Sequence, residues 1–556
     1  MRIIKGIVLV LIICFLQYDG ANAKGEEVTS IKSETLLQAR DGILLFTRIY
    51  LPQTIPAGGL PAVLMRTPYT FPEDELRYDD NGEFFTSRGY AYVVQDIRGR
   101  GKSSGAFDVG NAFTESQDGF DSCEWIAQQA WSNSKIGSLG CSYPGFSAVA
   151  AAIDNPYVKV VISDDLWLDN RSDFHYPGHV PTLWPLNWLY RLEHGEWAAP
   201  EMIDDLGERL DPTELDMELL GRTDPNWQTY LELYENMDSS YWDTHSLIPY
   251  QDRICAPALI LTDFPNLGFS PWALWEGVSE LGCLEHQDNI RFVFTREGHC
   301  YHSGRIPYER TWVNQLMLDY LDKFLNEADI DLSDLEKILI EEPGNTFSVS
   351  DSWPLGEREL VFYLSIAGDR IENGRLSLDM SSGGQLDWRI DPEAMAAKEM
   401  DYPELIFRSD PFQHDLLIAG NVKLDLWIKA SSPDVDFFAY LYKRSQSGEE
   451  QLLTRMAVRA KYRHDSSEKK WLTGQDPILL ELSANDFVYK VMADNIFELR
   501  LVNNRPFSLE NPLTGEPLLK QTHRNSSQVS LYLGGRYPSK IVLPVVHREK
   551  RGLKRR

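Results

Sequence analysis

Residues 135–150 read KIGSLGCSYPGFSAVA, and the six residues Gly140-Cys141-Ser142-Tyr143-Pro144-Gly145 at their centre decide how the first half of the chain folds. Ile136 to Leu139 form an apolar run suited to a short buried strand, and Phe146 to Ile153 is a small-residue, Ala-rich stretch suited to a helix. Ser142 therefore falls on a sharp strand-to-helix turn, the layout of a nucleophile elbow. A serine presented on such a turn sits in a strained backbone, so its neighbours must be small, and Gly140 and Gly145 meet that need. Pro144 suits the first helical position, where a missing N–H costs nothing. The spacing is G-x-S-x-x-G, one residue longer than the commonest form of the motif, and a Gly-Ser pair can also open a helix that does no chemistry.

Working outward, β-rich runs (GILLFTRIYL, AVLMR, YAYVVQD, YVKVVIS) alternate with helical stretches such as Asp118 to Ala130 between Gly42 and about Leu168. That alternation predicts a mostly parallel sheet wrapped by helices. It resumes with PALILT at Pro257, IRFVFT at Ile290 and a helix from about Glu309 to Leu325. Between them, Trp167 to Trp275 holds eight of the fifteen tryptophans together with many prolines and acidic residues. Its helical periodicity suits a cap over the site, although most of these rings would serve only to pack the cap itself. After about Glu342 the pattern becomes all-β. Val422, Leu424, Leu426 and Ile428 alternate with Lys423, Asp425, Trp427 and Lys429, a period-two strand with one buried face, and short strands continue to Val546. The expected organisation is a leader at 1–23, an α/β core at 24–168 and 251–342, a helical cap at 169–250, a β-sandwich or jelly roll at 343–546 and a basic tail at 547–556.

Composition narrows the class. The chain has 556 residues, 43% of them hydrophobic and 12% aromatic, too long for one core and well suited to two or three packed domains. Arg2 and Lys5, an apolar stretch from Gly6 to Leu16 and Ala21-Asn22-Ala23 give the layout of a cleavable leader, which predicts a secreted or periplasmic protein beginning near Lys24. The apolar stretch is too short to span a bilayer, so no membrane span is expected. A net charge of −29 argues against nucleic acid as a partner, and the six basic side chains from Arg548 to Arg556 read as a solvated end. Beyond the leader Cys123, Cys141, Cys255, Cys283 and Cys300 are widely spaced and form no C-x-x-C, which speaks against a disulfide scaffold or a metal site. One bridge is open to an exported protein, Cys255 with Cys283 being a candidate; Cys141 and Cys300 read as small buried side chains. His175 and His179 do not share a helix face, because Pro177 and Gly178 intervene, so no metal and no cofactor are expected.

With these pieces assembled, the chain resembles the cocaine esterase and Xaa-Pro dipeptidyl-peptidase (CocE/NonD) group of serine hydrolases, which includes the α-amino-acid ester hydrolases. The likeness is carried by RTPY at Arg66 to Tyr69, QDIRGRGKSSG at Gln95 to Gly105, WSNSKIGSLGCSYPG at Trp131 to Gly145 and FHYPG at Phe174 to Gly178. In the last domain DSWP at Asp351, PDVDF at Pro433 to Phe437 and LPVV at Leu543 to Val546 extend it. The resemblance implies an α/β-hydrolase core with an inserted helical cap and a C-terminal jelly roll. It implies Ser142 as nucleophile and His299, in RFVFTREGHCYH, as general base, with His302 a poorer fit; the Tyr69 hydroxyl and the Tyr143 amide would form the oxyanion hole. The order serine, acid, histidine is the one this fold uses.

The chain departs from the group at the triad acid. A gapless reading of PALILTDFPNLGF puts Asn266 there, and an amide orients an imidazole without stabilising its cation. In serine proteases that exchange costs ~10⁴ in turnover, on the order of 5 kcal/mol of barrier. Asp263 and Glu297 are alternative acids, and a slow acyltransferase or a catalytically degenerate binding protein are the other readings. Leu267, Gly268 and Phe269 replace most of the carboxylates with which α-amino-acid ester hydrolases hold an ammonium group, leaving Asp173 as the matching cap residue for substrate binding. The expected substrate is a small-molecule ester, amide or short peptide, with an apolar or aromatic acyl group favoured. An Xaa-Pro-type peptidase or amidase would need an electronegative pocket near Asp165, Asp169 or Asp173. An oligomer is compatible with the sequence.

Overall fold

The computed structural model describes residues 30–166, 168–170, 175–176, 180–181, 184–199, 202, 214–233, 239–263, 287–295, 298–300, 312–333, 335–342, 346–350, 358–366, 374–390, 404–464, 470–472, 474, 476–484, 487–503, 527–546 and 554–555. The first sheet opens with an antiparallel hairpin of β1 (Ile31–Gln38) and β2 (Leu44–Leu51), turned at Gly42 with φ 89°. β3 (Leu60–Thr67), β4 (Ala91–Asp96), β5 (Ser132–Cys141) and β6 (Val158–Asp164) follow. The ladder runs β1, β2, β4, β3, β5, β6, parallel from β4 onward. All eight residues of β3 and all six of β4 are buried, which is why AVLM and AYVV are continuous apolar runs: a sheet covered on both faces has no polar side to alternate with. The covering helices are α1 (Pro72–Thr86), α2 (Ala112–Ala127) and α3 (Tyr143–Ala150). The Asn111 side chain caps α2 by accepting from the Thr114 amide at 3.0 Å.

The cap enters between β6 and the next core strand. A two-residue ribbon, β7 (His175–Tyr176) with β8 (Val180–Pro181), precedes the helices α4 (Trp184–His194), α5 (Leu215–Leu220), α6 (Pro225–Leu233) and α7 (Tyr241–Thr244). Trp188, Trp227 and Trp242 are buried, so these three rings pack the cap and its seat. Polar contacts fix that seat: His245 Nε2 meets Asp108 Oδ1 at 2.9 Å, Arg100 pairs with Glu193 at 2.9 Å, and Asn226 accepts from the Val109 amide at 2.9 Å. The core then resumes with β9 (Ala258–Asp263), β10 (Ile290–Thr295), α8 (Trp312–Leu325) and β11 (Ile338–Glu342), the strands all parallel to β6.

β12 (Thr346–Ser350) pairs antiparallel with β11, so it extends this sheet although it follows Glu342, where the all-β pattern begins. Lys554–Arg555, from the basic end, pairs in turn with Ser348 and Val349 of β12. The second domain is a mostly antiparallel assembly of thirteen described strands over its own core, including Phe362, Leu424, Phe437, Leu499 and Leu531. In Lys423–Ala430 the alternation is as the sequence requires, with Leu424, Leu426 and Ile428 inside. Strand Glu450–Arg459 of this domain lies against the β7–β8 ribbon, and Phe294, Ile338, Ile340 and Ala419 form a small core between the domains.

A buried ion cluster lies under the sheet's active edge. Arg66, on β3, donates to Glu115 Oε2 at 2.6 Å, to the Glu115 carbonyl at 2.8 Å and to Gln95 Oε1 at 2.9 Å, and lies 3.5 Å from Asp118. Burial raises the Glu115 pKa, and the Arg66 charge opposes that rise. Removing one partner of such a cluster strands the others without solvent, a loss of about 3–5 kcal/mol. Arg66→Leu is expected to destabilise the α/β domain by that amount in urea unfolding; a loss under about 1 kcal/mol would show the cluster to be dispensable.

Candidate functional site

Ser142 stands where the sequence puts it, between the last residue of β5 and the first of α3, with φ 60° and ψ −128°. A non-glycine residue there stores strain of order 1–3 kcal/mol. Three contacts hold it. The Ser142 amide donates to the Asp164 carbonyl at 2.9 Å, and its carbonyl accepts from the Phe146 amide at 3.0 Å. The third is the close approach of Gly140 to the turn, where an added Cβ would meet the Pro144 backbone at 2.3 Å. Gly145 faces Ser163 and the Asp164 carbonyl, which an added Cβ would meet at 2.8 and 3.0 Å. The glycines are therefore steric requirements of the turn.

Tyr143 opens α3, which puts its amide at the helix end whose N–H groups point along the axis. Its ring is buried, its hydroxyl donates to Glu115 Oε1 at 3.0 Å, and it stacks on Trp188 of the cap with centroids 5.8 Å apart and planes 10° apart. Tyr69 lies just past β3. Its hydroxyl lies beside the Ser142 side chain and accepts a hydrogen bond from Trp188 Nε1 at 3.2 Å. Burial raises the Tyr69 pKa, so the phenol keeps its proton at neutral pH. Because Trp188 donates to the phenol oxygen, the phenol proton points away from the indole and is available to the site.

His299 follows β10, and its Nδ1 lies 3.1 Å from Asp165 Oδ2. The Asp165 side chain is 1% exposed and that of His299 44%. The same carboxylate oxygen accepts from the Cys300 amide at 2.7 Å. Burial alone would lower the imidazole pKa, but the charge and hydrogen bond of Asp165, helped by Asp164, raise it above its ordinary value. Cys141 and Cys300 form a disulfide with Cα atoms 5.6 Å apart and a sequence separation of 159. This corrects their reading as small buried side chains. A separation of that length hides the fact that the elbow and the histidine loop converge at one sheet edge. Cys255 is also disulfide-bonded, and Cys283, its candidate partner, lies outside the described residues.

Of seven non-glycine residues with positive φ among those described, three are Ser142, Asp165 (49°) and Cys300 (60°). Strain collected at one point of a fold marks a place where geometry outranks local stability. Cys141, Asp165, His299 and Cys300 place one donor atom each within 4.8 Å of one another.

Asp165 is the residue that motif reading misses as a partner of the histidine. In YVKVVISDD two carboxylates close the run of the strand beside β5, but the stretch does not single out one of them. Asp263 ends β9 opposite Thr295 of β10. Asn266, Glu297, Asp173 and His302 lie outside the described residues.

A serine on an elbow at the carboxyl edge of a parallel sheet, beside an imidazole–carboxylate pair, defines an α/β-hydrolase of the serine type. The chain belongs to the X-Pro dipeptidyl-peptidase (S15) family: the family's profile matches residues 41–301, and that of the X-Pro dipeptidyl-peptidase C-terminal non-catalytic domain matches 333–541. It is a hydrolase. Cocaine esterase of Rhodococcus sp. (strain MB1 Bresler) is 24% identical over 93% of this chain and 99% of its own length. Among solved structures, an aminopeptidase from the marine sediment archaeon Thaumarchaeota archaeon superposes with a TM-score of 0.76 at 17% identity, covering 96% of this chain and 99% of that one. An α-amino acid ester hydrolase gives 0.74 at 20% identity over 95% and 98% of the two chains. A CocE/NonD family hydrolase of Staphylococcus aureus gives 0.71 at 18% over 93% and 94%. These likenesses establish the shared architecture of core, cap and β-domain.

The contact between Asp165 and His299 has a signature of its own. By NMR the His299 imidazole should titrate above about 6.5, and Asp165→Asn should bring that midpoint down. Since the folded-state pKa is raised, the protonated pair stabilises the fold below the unfolded-state pKa, and that contribution fades as pH rises through the folded value. The stability gap between wild type and Asp165→Asn should therefore narrow from pH 5 to pH 8; a gap that widens would contradict the pairing.

Proposed function

We propose that this chain is an exported serine hydrolase that cleaves an ester or amide through an acyl-enzyme on Ser142, with His299 as general base and Asp165 as the carboxylate that orients it. The observation that carries the reading is the buried Asp165 carboxylate 3.1 Å from His299 Nδ1. With Nδ1 engaged, Nε2 is the nitrogen left to take the Ser142 proton as Oγ attacks the substrate carbonyl, and Asp165 stabilises the imidazolium that results. The Tyr69 hydroxyl donates to the developing oxyanion, joined by the Tyr143 amide. His299 then protonates the leaving group, and water releases the acyl group by the same steps in reverse. Asp165 precedes His299 and follows Ser142, so the chain order suits this fold. A carboxylate from β6 makes a charged group at Asn266 unnecessary, which weighs against a degenerate site.

Ester or amide substrates with an apolar or aromatic acyl group suit a site under an aromatic cap, whose Trp188 reaches the Tyr69 hydroxyl. The peptidase alternative calls for a carboxylate pocket to hold an ammonium group, and Asp165, one of its three candidates, is engaged with His299 and the Cys300 amide. Export follows from the leader-like first 23 residues and is supported by the disulfide, a bond typical of oxidising compartments.

A fluorophosphonate probe should label the purified protein, and Ser142→Ala should abolish labelling. Asp165→Asn should lower kcat by ~10⁴ and Tyr69→Phe by ~10²–10³, whereas Asn266→Asp should change little. The acid limb of kcat/KM should lie above about pH 6.5, because activity needs neutral His299 and its pKa is raised. Full activity in Asp165→Asn with loss on removing Asp263 or Glu297 would move the acid elsewhere. Aminoacyl esters outpacing phenylacetyl esters would overturn the substrate assignment.

A further inference from the structure

We propose that the Cys141–Cys300 disulfide masks a divalent-metal site, and that reduction releases the two thiolates to bind a zinc-type cation together with His299 and Asp165. The four side chains already converge, one donor atom from each lying within 4.8 Å of the other three. Two thiolates, an imidazole and a carboxylate are the soft and borderline donors that tetrahedral zinc takes. Bond lengths of about 2.0–2.3 Å put neighbouring donors of such a site roughly 3.3–3.8 Å apart, so with all four within 4.8 Å no pair needs to close by more than about 1–1.5 Å. Cleaving the bond frees the sulfurs to part into the same range.

The scaffold suits capture. Cys141 ends β5 and Asp165 lies one residue beyond β6, adjacent strands of the core. His299 and Cys300 share the loop after β10, and Asp165 already draws that loop in through both the imidazole and the Cys300 amide. The His299 side chain is 44% exposed and Cys300 is half-buried, so a small reductant and a hydrated cation have a route of approach.

The chemistry balances with a dithiol reductant. A thiolate of the reductant attacks one sulfur of the bridge, the mixed disulfide resolves by attack of its second thiol, and the reductant leaves as a cyclic disulfide. Cys141 and Cys300 then carry two S–H groups. On binding the cation they release two protons, and the cation takes both sulfurs, one imidazole nitrogen and one carboxylate oxygen. Metal binding itself is independent of the catalytic assignment. The consequence, that the bound cation withdraws His299 and Asp165 and silences Ser142, rests on the function proposed above.

The test uses cobalt(II) as the spectroscopic probe. The full-length protein is reduced, freed of reductant under anaerobic conditions and titrated with cobalt(II), and then with zinc(II) to displace it. Reduced wild type should develop a thiolate-to-cobalt charge-transfer band and intense visible tetrahedral bands, saturating at one equivalent. The oxidised protein should show neither. The bands should be lost in Cys300→Ser and Asp165→Asn and kept in Cys255→Ser, whose thiol lies outside the cluster. Absence of charge transfer in reduced wild type would overturn the proposal, as would bands that survive Cys300→Ser; the comparison of oxidised with reduced wild type stands even if a variant fails to fold. Ester hydrolysis measured in parallel should be abolished by one equivalent of zinc in the reduced protein and restored by a chelator. Metal binding with undiminished hydrolysis would instead overturn the role of His299 while leaving the site in place.

Discussion

One buried carboxylate oxygen organises the edge of the sheet. Asp165 Oδ2 accepts from His299 Nδ1 at 3.1 Å and from the Cys300 amide at 2.7 Å, two consecutive residues of a loop that begins on another strand. A carboxylate almost without solvent is costly unless its lone pairs are filled. These two donors fill it, and in doing so they fix where the histidine loop comes to rest. The Asp165 amide in turn donates to the Leu261 carbonyl of β9 at 3.0 Å, tying the strand end to the strand beside it. The contact therefore sets backbone and side-chain positions together, and the disulfide to Cys141 holds the same loop to the nucleophile turn from the other side.

Below that edge a second polar layer resists the strain above it. The Arg66–Glu115 pair, with Tyr143 and Ser147 donating to Glu115 at 3.0 and 3.3 Å, anchors the first turn of α3 to α2 and β3. Ser142 keeps φ 60° because the residues on each side of it have no freedom: Gly140 touches Pro144, and Tyr143 is pinned at its hydroxyl. Charge-assisted hydrogen bonds in a buried, low-dielectric layer are strong, and they give the strained turn at Ser142 firm surroundings.

Most of this fold was legible in the chain because burial on both faces of a sheet leaves a plain trace. AVLM, AYVV and PALILT are strands by apolar continuity, and Val422 to Ile428 is one by alternation. Ser142 and its glycines were legible for the same reason, since a steric demand on the backbone selects residue types locally. The acid was not. Asp165 touches His299 across 134 positions of sequence, and nothing local distinguishes it from Asp164, Asp169 or Asp263. The disulfide was hidden likewise, because cysteine spacing reports local motifs and a bridge between two distant loops forms none. Thr346–Ser350 escaped for a different reason: it reads as a β-strand in either sheet, and only its pairing with β11 assigns it.

The position of the carboxylate also shows which strand end meets the histidine loop. In this sheet β6 and β10 both flank β9, so a loop leaving β10 can be met by a carboxylate from β9 beside it or from β6 one strand further in. A single imidazole Nδ1–H donates to only one such partner. Asp165 fills that role here, although β9 itself ends in a carboxylate, Asp263. What separates the two strand ends is the loop itself: the Cys300 amide also donates to Asp165 Oδ2, and Cys300 is bridged to Cys141 at the end of β5, so the histidine loop is held on the β5–β6 side of β9.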